Sequence, residues 1–299
     1  MRYSISDLEQ LSGVQTHTIR IWERRYQALE PLRSEGNTRF YNDNHLRRLL
    51  NIVGLSQIGM KISQVCALSE MEMDVLLAQE IDNTFSKEHH FEYYISQLLN
   101  YGLVYDEFHF DELISKCIEE YGVVKSYQSV IYPLLVRLGL MWRRDHICPA
   151  QEHFLSNIIR RKLFASIDHI PLNKTFQSTW VLFLPEDEDH EIGLLFASYL
   201  LRSAGQRVIY LGAKVPLESL KETMAGVEAG HLMLFMVRNR PLSVSEQYLQ
   251  ELSDLYPQKK IHVSGNGKLI ADLKLAENVD WLQSIQDFEL TIKNLSHVN

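Results

Sequence analysis

The residue types best able to do chemistry lie between Trp142 and Gly193. Trp142 is followed by Glu152-His153, and then, directly after an apolar run at 180–184, by Glu188-Asp-His190-Glu-Ile-Gly193. A neutral imidazole is a common transition-metal ligand, and a nearby carboxylate can fix which ring nitrogen carries the proton. Trp142 and Glu152-His153 fall in helix-forming sequence, whereas His190 falls in a loop between the strand at 180–184 and a helix at 192–204. That set suits a large planar ligand, with His190 ligating a metal below and Trp142 closing the space above. Taken singly, Trp142 reads as a core aromatic and His153 as a surface polar group. Their position at the end of one helix and the start of the next favours a joint role.

The elements that must position them follow from periodicity. Helical spacing runs through 93–103, 110–121, 127–142 and 150–167, with Leu98/Leu99, Ile114/Ile118 and Leu134/Leu138 repeating, which implies a four-helix bundle. Short apolar strands at 180–184, 207–211, 231–237 and 260–263 then alternate with helices at 192–204, 217–229 and 245–256. Such alternation implies a parallel, doubly wound sheet whose ligands sit beyond the carboxyl ends of the strands. His190 is at one such end. Gly212 and Gly265-Asn-Gly267 are at others, where a missing Cβ lets a ligand approach the backbone, although Gly-x-Gly alone is as readily a turn.

Ahead of the bundle the charge changes sign. The 299 residues carry −8 overall, yet residues 1–65 hold nine Lys/Arg against six Asp/Glu, a balance of +3 that leaves −11 elsewhere. Ser6-Asp-Leu-Glu9 has capping-box spacing, and Gly13 suits a helix end and tight turn. Thr16 can cap a second helix at 18–26, with Ile19 and Trp22 inward and His17, Arg20, Arg24 and Arg25 outward. Two short helices across such a turn make a helix-turn-helix, the second reading the major groove; an ordinary helical hairpin with a basic face is the plainer possibility. The segment from Pro31 to Tyr41, with Gly36-Asn37 between extended arms, reads as a wing setting Arg33, Arg39 and Tyr41 against phosphates. Base-edge contacts fall to Thr16, Thr18 or Arg20. A helix at 45–57, with Leu46, Leu49, Leu50 and Val53 inward, follows, and Gly59 to Val65 begin a fourth.

Apolar residues make up 45% of the chain, enough for two or three cored domains. Cys66, Cys117 and Cys148 show neither paired nor metal-type spacing, which points to a reducing, cytoplasmic setting. A signal peptide and a long apolar run are both missing, so neither export nor membrane spanning is expected.

Ile5-Ser-Asp-Leu, Thr18-Ile-Arg-Ile-Trp-Glu-Arg-Arg-Tyr26, Pro31-Leu-Arg33 and Arg39-Phe-Tyr41 closely resemble the MerR-family winged helix-turn-helix. The resemblance implies a dimeric binder of inverted repeats in double-stranded promoter DNA. The long dimerising helix and Cys-rich loop of MerR metal sensors do not follow. Glu188-x-His190-x-x-Gly193 with Tyr210-Leu-Gly212 resembles the Rossmann-like cobalamin-binding domain, in the Glu variant of its Asp-x-His-x-x-Gly motif. Gly139-x-x-Trp142 and Gln151-Glu-His-Phe154 resemble the helical cap of the same module. Over nearly its full length the chain is similar to the CarH/LitR light-responsive regulators, an α plus α/β architecture. It implies a winged helix-turn-helix at 1–72, a four-helix bundle at 73–174 and a Rossmann-like cobalamin-binding domain at 175–299.

Carried over by position, His190 would replace the vitamin's own base as lower axial ligand of cobalt, with Glu188 and Gly193 supporting the loop and Gly212 and Gly265 beside it. Trp142, Glu152 and His153 would cover the upper face, where the adenosyl group sits in the family. The family's His after the Trp, able to bind cobalt after photolysis, is here Arg143, and a Gly in the following turn is Asp145. The Ser-x-Leu stretch of the third strand is Phe235-Met-Val237, and a Gly-Gly near the fourth is Ser264-Gly265, which alters the pocket for the nucleotide tail. The implied function is a non-enzymatic repressor whose homo-oligomerisation, to dimer or tetramer, and operator binding respond to adenosylcobalamin and light. An alternative is a regulator that keeps the fold but answers to a protein partner or acts without ligand. A corrinoid methyl carrier would share the bundle and sheet but not the DNA-binding head.

Overall fold

A computed structural model describes residues 2–34, 37–57, 60–73, 75–76, 91–142, 148–172, 175–238 and 240–296, and of 57, 140–142, 295 and 296 only the backbone. The chain forms two compact units, Met1–Ile159 and Arg160–Asn299.

In the first unit, α1 (Ile5–Ser12) starts from a capping box, but the box is Ser4 and Asp7. The Ser4 hydroxyl accepts from the Asp7 N–H at 3.2 Å, and the Asp7 carboxylate accepts from the Ser4 N–H at 2.7 Å. It therefore lies two residues ahead of the expected Ser6-to-Glu9 box, because Ser4 and Asp7 have the same spacing. Gly13 closes α1 in the left-handed region at φ +74°. The second helix, α2 (Thr16–Tyr26), has no side-chain cap. The Thr16 hydroxyl donates instead to Glu9 Oε2 at 2.5 Å, tying α2 to α1. A two-stranded antiparallel wing, β1 (Leu32–Arg33) and β2 (Arg39–Phe40), precedes α3 (Asp43–Gln57) and the short α4 (Ile62–Cys66).

The long helices follow as α5 (Phe91–Leu103), α6 (Glu107–Ser126), α7 (Tyr132–Trp142) and α8 (Pro149–Asp168). A break at Gly122 (φ +75°) ends the regular part of α6, and a π-helical turn, Tyr127–Ile131, leads into α7. The head is not detached from these helices. Asn51 of α3 and Asn100 of α5 pair their buried side chains at 2.8 Å, and Arg47 donates to Asn100 at 3.3 Å. Satisfied polar contacts of this kind fix the register of a packed pair of helices. Leu98, Leu99, Ile114, Leu134 and Leu138 are buried, as their periodicity predicts, while Ile118 is half-buried.

The second unit is an open parallel sheet. Its strands are β3 (Thr179–Pro185), β4 (Arg207–Val215), β5 (His231–Met236), β6 (Lys260–Gly265) and β7 (Val279–Trp281), in the order β4-β3-β5-β6-β7. Between and after them come α9 (Ile192–Ser203), α10 (Leu217–Gly226), α11 (Leu242–Leu255), α12 (Gly267–Ala271) and α13 (Ile285–Ser296). Every residue of β3 is buried, as a central strand of a doubly wound sheet requires. The strand order reverses between β3 and β5, and ligands of such sheets enter beyond the carboxyl ends at that switch point. The sequence reading lacks β7, α12 and α13. No helix among the described residues is long and apolar enough to cross a membrane.

Candidate functional site

On the first unit, α2 and the wing enclose an open groove lined by Arg20 and Arg24 from the helix and Arg33 and Arg39 from the strands, with His17 beside them. All five are exposed. Ile19 is buried beneath and holds the helix in place. Arg25 is exposed, stacks its guanidinium on Tyr26 at 5.6 Å and does not line the groove. Arg33 is steadied by Asn37 Oδ1 at 2.6 Å. Thr18 is half-buried beside His17.

Tyr41 corrects one expectation. It is fully buried, with its hydroxyl donating to Glu23 Oε1 at 2.6 Å and its backbone bridged to Tyr3. Burial first, then the Glu23 carboxylate, pushes its phenol well above the ordinary tyrosine range. Tyr41 joins the wing to α2 and does not face phosphates.

On the second unit, the loop after β3 centres on Glu188, whose side chain is wholly buried. Its Oε1 accepts the N–H groups of Asp189 and His190 at 3.1 and 3.2 Å, and its Oε2 those of Val237 and Arg238 at 2.9 and 2.8 Å. The Arg240 guanidinium adds a contact at 3.3 Å, and His190 Nδ1 one at 2.5 Å. Burial alone would raise this carboxyl, but the donors outweigh it, led by His190 and the Arg238 and Val237 amides, and hold it down at about 2. An ionised carboxylate can only accept, so His190 Nδ1 must carry the proton, and in the neutral ring Nε2 holds the lone pair. The ring is half-exposed. Glu188, Asp189 and His190 bring ligand atoms within 4.8 Å of one another. Glu188, however, already accepts from every side, so the chemistry is that of one imidazole with its orienting carboxylate.

Next to His190, Glu191 is buried, paired with Arg160 of α8, and accepts from the Tyr210 hydroxyl at 2.9 Å. The three glycines are used for close packing. A Cβ on Gly193 would lie 2.7 Å from the Phe235 ring, and one on Gly212 would lie 3.2 Å from Glu191 Oε1. Gly265, at φ +126°, would bring a Cβ to 2.4 Å from the Met236 carbonyl oxygen. At Gly267 a Cβ would meet nothing closer than the Trp281 ring at 3.8 Å.

Of the cap residues, Glu152 is half-buried in the first turn of α8 and His153 is exposed, with Nδ1 3.3 Å from Glu152 Oε2. The backbone at Trp142 ends α7; its side chain, with Arg143, Asp145 and His146, lies outside the described residues. Arg240 and Arg160 were missed in the sequence. Arg240 reaches Glu188 from fifty-two residues away in the chain, and no local pattern marks it.

Fold and site together define a DNA-binding regulator joined to a corrinoid-type module. Comparison with known proteins agrees. The family model described as MerR HTH family regulatory protein matches residues 3–71, and that described as B12 binding domain matches residues 94–165. The chain is 30% identical over 258 residues to the HTH-type transcriptional repressor CarH of Myxococcus xanthus, covering 86% of each chain. It is 26% identical to the repressor CarA of the same organism, covering 85% of this chain and 82% of that one. The monomethylamine corrinoid protein of Methanosarcina barkeri superposes with a TM-score of 0.55 at 15% identity, over 72% of this chain and 99% of that chain, a likeness of fold. The chain belongs to the CarH family of MerR-type, B12-binding transcriptional regulators.

Proposed function

We propose that this regulator is a repressor whose self-association and operator affinity are set by adenosylcobalamin and light. The observation that carries the reading is the contact of His190 Nδ1 with a buried, ionised Glu188, which would leave Nε2 as the coordinating nitrogen. When bound, adenosylcobalamin supplies a cobalt–carbon bond that light can break. His190 would give the lower axial nitrogen, and Glu188 would fix its tautomer and orientation. Glu152 and His153, with Trp142, would face the adenosyl side. Arg20, Arg24, Arg33 and Arg39 would hold DNA phosphates, with Arg25 at the edge and Thr16, Thr18 or Arg20 nearest the bases. A dimer or tetramer spans repeated half-sites far better than a monomer, so a ligand that changes assembly changes repression.

The test is sedimentation velocity and operator binding on apo, dark-loaded and illuminated protein. Dark-loaded protein is expected to be the most oligomeric and the tightest operator binder. His190→Ala should weaken adenosylcobalamin binding roughly 100-fold or more and alter the spectrum of any residual complex. Unchanged mass and affinity in all three states would end the photoswitch reading. A second reading, control by a protein partner, is favoured by one observation, the closely packed glycines around the loop. It predicts normal operator binding without any corrinoid.

A further inference from the structure

We infer that the protein holds a corrinoid by its ring and axial imidazole while leaving the nucleotide tail outside the sheet unit, with Phe235 as the residue that keeps it out. This rests on the reading of His190 as the axial ligand. A cobalamin carries its own lower base on a nucleotide tail, and an imidazole on that face displaces it. The displaced base and its phosphate must then enter the protein beside His190 or remain in solvent.

The way in beside His190 is the wedge between the first turn of α9 and the carboxyl ends of β5 and β6. Each wall of that wedge is occupied. The Phe235 ring lies against the bare Cα of Gly193, so close that even a methyl there would meet it at 2.7 Å. Gly265 lets β6 press on the Met236 carbonyl, where a Cβ would come within 2.4 Å. The Val237 and Arg238 N–H groups, a natural seat for a phosphate, are both given to Glu188. Arg240, which could hold a phosphate, is 6% exposed and bound to Asp187 at 3.1 Å and to Glu188 at 3.3 Å. The Ser264 hydroxyl donates to the Leu282 carbonyl at 2.9 Å, away from the wedge and beyond β7. Among the described residues, aromatic packing and committed donors fill the wedge, and the exposed Arg238 guanidinium donates to the Asp187 carbonyl at 2.9 Å, while the His190 ring stays half-exposed. Recognition then depends on the corrin ring and the upper ligand, and a cobinamide, which has no tail, is as good a ligand as a cobalamin.

The experiment titrates the full-length apo protein in darkness with adenosylcobalamin and with adenosylcobinamide, following absorbance. Adenosylcobinamide is expected to bind no more than about threefold more weakly than adenosylcobalamin. Phe235→Ser, with Phe235→Leu as the milder substitution should the first fail to fold, is expected to shift the preference toward the cobalamin by roughly tenfold. A wild type that prefers the cobalamin by tenfold or more, with binding lost in His190→Ala, would sink the tail assignment and leave the axial ligand standing. A ratio unmoved by either Phe235 variant would overturn the role of Phe235. Folded wild type that binds neither corrinoid would overturn the axial reading, and the inference with it.

Discussion

The two units treat charge in opposite ways. On α2 and the wing, Arg20, Arg24 and Arg39 stand exposed around one groove. In the sheet unit two carboxylates of the loop after β3 are buried and matched: Glu188 to four backbone amides, His190 and Arg240, and Glu191 to Arg160 and Tyr210. Exposed guanidinium groups exchange readily with the counterions of a phosphate backbone and cost little to hold there. A buried carboxylate is costly unless every lone pair is used, and once used it fixes the group it touches. On the proposed reading, surface charge would serve affinity for a polyanion, and buried charge the orientation of a single ring nitrogen.

The strongest way to break this comparison is Glu188→Gln, which keeps the shape and turns one acceptor into a donor facing donors. Stability of the sheet unit at pH 7 should fall by about 3 kcal/mol, and adenosylcobalamin affinity by roughly 10- to 100-fold as His190 loses its anchor. The Glu188 carboxyl is held at about 2 in the folded chain, against about 4.3 when unfolded. Its contribution is therefore complete above the unfolded value and is lost as pH falls toward the folded one. Urea unfolding of wild type and variant should converge on acidification; a constant gap between them would show that charge is not the cause.

A smaller effect sharpens the same point inside the sheet. His231 and His262 are buried 3.1 Å apart and stack on Trp180 at 4.3 and 4.8 Å. Burial first holds them at about 4 and about 3, Lys260 opposing protonation of both and His231 that of His262. Asp280 lies 4.0 Å from His262 and Phe288 packs edge-on to Trp180. These imidazoles are folded neutral, so their contribution is intact above an unfolded value of about 6.5 and declines as pH falls below it. Each can cost at most about 2 kcal/mol between pH 7 and pH 5. His231→Phe with His262→Leu should flatten that decline; an equally steep loss in the variant would place the acid-sensitive groups elsewhere.

How much of this was legible beforehand follows from how local each signal is. The helix-turn-helix, the wing, the four long helices and four of the five strands of the sheet are written in periodicity and turn residues close in sequence. The short β7 carries only Val279–Trp281, too few residues for a period to show. His190 and Glu188 were legible because they lie two residues apart. Arg240, Val237 and Arg238 complete the same network from just beyond β5, which pairs in parallel with β3, and topology alone brings them there. Tyr41 was misplaced for a similar reason: its partner Glu23 lies eighteen residues back, on another element.

The smallest expected effect tests the exposed side of the comparison. Arg39 lines the groove and is exposed, while Tyr41, two residues on, is buried against Glu23. Operator binding is measured over a series of salt concentrations for Arg39→Ala and Tyr41→Phe. Loss of one phosphate contact in Arg39→Ala should lower the slope of log affinity against log salt by about 0.9 and weaken binding evenly across sequences. Tyr41→Phe removes a hydrogen bond of roughly 1 kcal/mol from the fold and should leave the slope untouched, because no counterion is displaced at a buried hydroxyl. Equal drops in slope would put Tyr41 at the phosphates in the bound state. An unchanged slope in Arg39→Ala would remove the wing strand from the interface and leave α2 to hold the DNA alone.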